Sequence, residues 1–183
     1  EGFSQHLVIA GFRDVRIKDV EKFFQAVRNE TGNVCVQFFN ASFVAGSEHL
    51  RFAGLNALNA FKSKINISSN LAMETLLYAA AQRQIKEAVR MIGIKSNTSR
   101  VAVLVLTENR GQASAVLKAV SKLLGGRRDD SVVDLTDDKM AGLKRLFEIS
   151  NVELEAKKDR SDAERQALTD LVIEHIALLV TQR

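Results

Sequence analysis

The apolar positions of this chain follow two rhythms, and their succession sets the expected architecture. Residues 6–12 and 34–39 are short apolar segments of strand-like composition, and between them Val20, Phe23, Phe24 and Val27 recur on one helical face. The order reads as strand, helix, strand. Ser47 or its neighbourhood opens a second helix, with Leu50, Ala53, Gly54, Ala57 and Phe61 on one face before the polar stretch 62–70. Residues 70–93 then read as one long helix. Asn70 caps its start, Glu74 lies near its electropositive first turn, and Gly93 supplies a left-handed residue to end it. Leu77, Ala81, Ile85, Ala88, Val89 and Ile92 form its expected buried stripe, with Arg83, Lys86, Glu87 and Arg90 toward solvent.

Residues 100–107 give a third strand, and Ala113, Val116, Leu117, Val120 and Leu124 a helix closed by Gly125 and Gly126. Val132 and Val133 suit a brief edge strand. Thr136 or Asp137 starts a helix carrying Met140, Leu143 and Phe147, and the charged residues 153–160 read as a connection. A last helix opens at Ser161, which forms a capping box with Glu164. The expected class is α/β: a small mixed sheet with several packed helices, helix-rich, in a single domain spanning residues 1–183. Residues 171–180, LVIEHIALLV, are apolar around most of the helix circumference. Either this helix is central to the fold, or part of it, drawn from Val172, Ile173, Ile176, Leu179 and Val180, packs on another protein.

Composition narrows the function classes only modestly. The chain is 46% hydrophobic and 26% charged, which suits a soluble globular protein. A formal charge of +4 is compatible with nucleic acid or another anionic surface, and many basic proteins bind neither. Cys35 is the single cysteine and sits in the apolar run VCVQFF, so a buried inert thiol and a reducing, cytoplasmic compartment are expected. The longest apolar runs fall far short of the roughly 20 residues that span a bilayer. Proline is absent, so turns rest on Gly, Asn, Asp and Ser.

Signatures of catalysis are missing from the sequence. There is neither GxGxxG nor GxxxxGK[ST], and the run Gly125, Gly126, Arg127, Arg128 reads as a turn whose arginines are offset by Asp129 and Asp130. His6, His49 and His175 are scattered, with no metal-ligand spacing and no recognisable nucleophile triad. Asp137 and Asp138 suit a helix start better than an acid/base pair. The remaining constellation is basic and rich in amides. Lys62, Lys64, Asn66 and Asn70 precede the long helix, and Gln82, Arg83, Gln84, Lys86 and Arg90 lie upon it. A solvated face is the commoner origin of such charges; the alternative is a small RNA site, with little aromatic surface for stacking because Trp is absent and Tyr78 is the single Tyr.

Taken together, FNASFVAGSEHLRFAGLNALNAFKS, NLAMETLLYAAAQRQIKEAVRMIGI and the terminal IEHIALLV resemble the small kinase-binding subunit of the KEOPS complex, in its archaeal form. The resemblance rests on the order of Asn40, Ala41, His49, Glu74, Gln82, Gln84, Ile85, Glu87, Ala88, Ile92 and Gly93, with Ile176, Ala177 and Leu178 near the end. It implies a non-catalytic subunit of the machinery that makes threonylcarbamoyladenosine in tRNA. Such a subunit docks on a small kinase-like ATPase and holds the single-stranded CCA acceptor end of tRNA, with no cofactor, no metal, no membrane and no small-molecule substrate. By position, the terminal helix would face the kinase-like partner, and Lys62, Lys64, Asn70, Gln82, Arg83, Gln84, Lys86 and Arg90 would meet RNA. Asn40 and His49 suit buried hydrogen bonds better than ligand contacts. A protein-only assembly adaptor and an α/β enzyme with a spatially assembled site remain the alternatives.

Overall fold

The computed structural model describes residues 6–158, 164–179 and 181. Its sheet has four strands in the order β2-β3-β1-β4: β1 His6–Arg13, β2 Cys35–Asn40, β3 Val101–Thr107 and β4 Arg127–Arg128. β3 is central and every residue of it is buried, which is why VAVLVLT shows no alternation of polar and apolar positions. All pairings are antiparallel, so the mixed sheet expected from the sequence is corrected within an α/β fold. β1 and β2 do run in the same direction, but β3 inserts between them and runs against both.

α1 (Val20–Thr31) and α5 (Arg110–Leu124) cover one face of the sheet through Phe23, Val27, Val116 and Val120. Asp19 caps α1 by accepting from the Lys22 amide, and Gly125 ends α5 in the left-handed conformation at φ 63°. The other face carries α2 (Ser47–Lys62), α3 (Leu71–Ala79) and α4 (Ile85–Ile92). A third apolar cluster joins α6 (Asp137–Leu146), α7 (Asn151–Lys158) and α8 (Glu164–Leu179) around Ala45. Residues 151–158 are thus a helix, anchored by buried Leu154, and not merely a connection. The capping box at Ser161 lies outside the described residues.

Val132 and Val133 belong to a 3-10 turn, Asp130–Val133, and not to an edge strand. The carboxylates around them redirect the chain. Asp130 accepts from the Gly11 amide at 2.8 Å, while Asp129 accepts from the Ser131 amide at 3.1 Å. The short edge strand forms earlier, where Arg128 and Arg127 pair with Phe12 and Arg13.

The single long helix expected over residues 70–93 is two helices. Asn70 caps α3 as expected, accepting from the Met73 amide at 3.0 Å. The helix then stops at Ala81, which is left-handed at φ 49°. The amide of Ala81 donates to Tyr78 and that of Gln82 to Leu77, so the terminal carbonyls are satisfied by the turn itself. Tertiary contacts favour the stop: Ala79 and Ala80 are fully buried, and the Ala79 carbonyl accepts from His49. Gly93 is not left-handed (φ −68°); its hydrogen is required because a Cβ there would lie 2.6 Å from the Val89 carbonyl oxygen.

Candidate functional site

The break at Ala81 rearranges the basic constellation. His49, near the start of α2, bonds to Ala79 at the end of α3, so these helices run antiparallel. α4 then returns alongside α3, bringing Val89, Gly93 and Ile94 to the cavity that Asn70, Leu71 and Met73 also line. Lys62, Lys64 and Asn70 therefore cluster at one end of α3, while Gln82, Arg83, Gln84 and Lys86 gather at the other. Nine residues of α3, about 13 Å at the helical rise, separate the two groups.

α4 carries a surface that periodicity along one long helix misassigned. Ile85 and Val89, expected in the core, are 46% and 40% exposed, and only Ala88, Met91 and Ile92 of this helix are buried. Once the chain turns at Ala81, the phase of the helical stripe restarts. Arg83, Lys86 and Arg90 remain exposed as expected, with Arg90 paired to Glu87 at 2.9 Å. The outer side of α4 is consequently a strip of apolar and cationic side chains at spacings of three and four.

The loop before α3 is held from inside. Glu74 is fully buried, and its carboxylate accepts from the amides of Ile67, at 3.0 Å, and Ser68, at 2.7 Å. The sequence placed Glu74 as a partner of the helix dipole; its main partners are loop amides that only folding brings near. His49 is also fully buried. Its Nδ1 accepts from the Ala45 amide at 3.0 Å, its Nε2 donates to Ala79, and burial holds its pKa down at about 4. Asn40 is engaged locally, accepting from the Ser42 amide. Both residues serve the fold, as the sequence suggested.

The terminal helix divides the expected partner-facing set. Val172, Ile176 and Leu179 are 0%, 0% and 2% exposed and pack inside this chain's own clusters. Ile173 is half-buried, and Val180 lies outside the described residues. The apolar side chains that α8 presents outward are Ala177 and Leu178, the latter 54% exposed, and α7 has Val152 exposed at 79%. Lys157 and Glu174 form an ion pair linking these two helices. Of the two alternatives the apolar pattern left open, burial of Val172, Ile176 and Leu179 within the chain accounts for most of it, with a small apolar remainder facing outward.

Elsewhere several charged groups are paired within the chain. Arg127 pairs with Asp14 at 2.8 Å and Arg128 donates to Asp130, so the run after Gly125 is a paired turn and strand. Cys35 is a free thiol whose burial pushes its pKa up to about 12, which keeps it protonated. Lys139, unnoticed in the sequence, is buried; its ammonium donates to the carbonyls of Val132 and Asp134, and desolvation lowers its pKa to about 8. Among the described residues no group of three His, Cys, Asp or Glu side chains is placed to hold a metal ion. No described helix is long and apolar enough to cross a membrane.

Comparison with known proteins identifies the family. Residues 12–179 match the family described as kinase binding protein CGI-121. The chain is also 32% identical over 145 residues to a regulatory protein Cgi121 of Methanocaldococcus jannaschii, covering 78% of this chain and 85% of that protein. The match runs from the end of β1 to the end of α8 and so includes α3, α4, α7 and α8. The chain belongs to the CGI-121 family of kinase-binding proteins.

Proposed function

We propose that this chain is a non-catalytic regulatory subunit of the KEOPS tRNA threonylcarbamoyladenosine machinery, docking on the kinase-like ATPase and holding the CCA acceptor end of tRNA. Family membership supports the kinase-partner half, and the outward apolar side chains Val152 and Leu178 offer a contact for it. The observation that carries the RNA half is the strip on α4. Exposed Ile85 and Val89 suit the apolar faces of unstacked bases, while Arg83, Lys86 and Arg90 suit phosphates. Holding the acceptor end raises the effective concentration of the rest of the tRNA at a catalytic subunit, so modest affinity suffices.

Titration of the protein with matched tRNA carrying or lacking the CCA end tests this reading. Preference for the CCA-bearing form is expected. Neutralising two or three phosphates gives a log-affinity versus log-salt slope of about −1.4 to −2.1, and Arg83→Glu with Lys86→Glu should weaken binding while leaving the fold intact. Equal, negligible binding to both tRNAs would reject RNA recognition. A protein-only adaptor is the second reading. The separation of Lys62 and Lys64 from Arg83 and Lys86 across α3 favours it, because it thins the positive field available at any one place.

A further inference from the structure

β2 ends the sheet, so one of its edges pairs with β3 while the other has no strand partner among the described residues. In an antiparallel ladder, successive residues turn their backbone groups alternately toward the partner and away. The Ala41 amide donates to the Arg100 carbonyl at 3.0 Å, continuing the ladder past Asn40. This alternation directs Phe39, Gln37 and Cys35 toward β3, and leaves the N–H and C=O groups of Val36 and Phe38 on the open edge. The edge is the floor of a groove of about 1130 Å³, walled by α1 on one side and by the first half of α3 with Gly93 and Ile94 on the other. That volume exceeds the roughly 300–1,000 Å³ of small-molecule clefts.

Gln37 provides an independent pointer to a polar ligand. It is 6% exposed, lines the groove, and its amide makes no hydrogen bond to any described residue. No completely sealed side-chain nitrogen or oxygen among the described residues lacks a partner, so the Gln37 amide retains access to the groove. An amide facing the groove with its donor and acceptor both uncommitted can bond a ligand that offers both an acceptor and a donor.

The surroundings select the occupant. Nucleic acid requires cations for its phosphates, but the lining carries only Lys22 and Arg28 against Glu21, and Lys22 is already held by Asp19 at 3.6 Å. With its open edge on the floor of a groove lined by α1 and α3, β2 suits one extended peptide better than the edge of a second folded sheet. Arg28, which donates to Gln25 and makes no ion pair with a described carboxylate, adds a site for an acid at the rim. We propose that this groove binds an extended segment of a partner protein, which adds to the open edge of β2 as a further strand. Its backbone would pair with Val36 and Phe38, one peptide group would bond to Gln37, apolar side chains would alternate into the walls, and a carboxylate would meet Arg28.

The test uses capped peptides about six residues long, matching β2, with alternating valine and threonine and one aspartate placed at each position in turn. Isotope-labelled protein is titrated and the amide resonances followed. Saturable shifts at Val36, Gln37 and Phe38 are expected, with slowed hydrogen exchange of the Val36 and Phe38 amides. N-methylation of the peptide amides on the edge facing β2 should abolish them, whereas methylation of the opposite edge should not. Gln37→Leu removes an amide with no internal partner and so preserves the fold; it should weaken binding on the order of tenfold. Absence of saturable shifts with every peptide, or equal binding of both methylated forms, would overturn the proposal. So would the same shifts produced by a CCA oligonucleotide alone, or by raising the protein concentration without peptide, since these would assign the groove to RNA or to a second copy.

Discussion

His49 illustrates how one residue's chemistry is set entirely by its two backbone partners. The Ala45 amide is a donor, so Nδ1 must be bare; the Ala79 carbonyl is an acceptor, so Nε2 must carry the proton. The folded form is the neutral ring, and burial lowers its pKa from 6.5 to about 4. Between these values the unfolded chain binds the proton more readily than the folded one. This contribution to stability is therefore intact above about pH 6.5 and is lost as the pH falls, amounting to about 3 kcal/mol by pH 4. His49→Gln keeps an acceptor and a donor without titrating in this range. In urea denaturation at successive pH values, its stability should fall less than the parent's by about that amount. Identical pH profiles would show that His49 does not drive the acid sensitivity. That His49 is structural was legible from its place in an apolar helix pattern; that it joins α2 to the end of α3 was not, because its partners are backbone groups at positions carrying no signal in their side chains.

Helix ends account for most of what the sequence concealed at the level of elements. α2, α3 and α6 all finish with a left-handed residue that is not glycine: Lys64, Ala81 and Glu148. In each case the next amide reaches back five residues, from Ile65 to Ala60, Gln82 to Leu77 and Ile149 to Lys144. Where glycine does stand at such an exit, as at Gly125, the end was readable; where alanine stands, helix propensity points through the turn. The cost of the left-handed conformation falls on the side-chain Cβ. Ala81→Gly should therefore stabilise the protein by about 0.5–1 kcal/mol, the strain relief outweighing the added freedom of the unfolded chain. Thermal unfolding should shift upward accordingly. Destabilisation would mean that the Ala81 methyl, half-buried against the core, contributes more by packing than its backbone strain costs. The same turn decides the candidate site, since the exposure of Ile85 and Val89 follows from restarting the helix after it.

Across the whole molecule, α8 shows how an apolar pattern can indicate burial without saying what is buried against what. The α/β class and the three long strands followed from periodicity, but strand order depends on contacts between residues far apart in sequence, as when β3 separates β1 from β2. For α8 the same information was needed to choose between core and interface. The structure places Val172 and Ile176 at the junction with α2, α3 and α6, and leaves Leu178 at the surface. Substitutions on these two sides should behave differently. Ile176→Glu inserts a charge with no buried partner and should cost about 3–5 kcal/mol, a large part of a typical domain's stability. Loss of kinase-partner binding by that variant would accompany unfolding and would not locate an interface. Leu178→Glu changes a residue that is 54% exposed and should alter stability by less than about 0.5 kcal/mol. If α7 and α8 meet the kinase-like subunit, this variant should retain its melting temperature while its affinity falls about tenfold or more, as expected for an apolar anchor replaced by a charge. Calorimetric titration against the purified partner, with circular dichroism on the same samples, separates the two effects. Unchanged affinity in folded Leu178→Glu would move the contact away from this end of α8, because the neighbouring core residues are already engaged inside the chain and offer no second surface there.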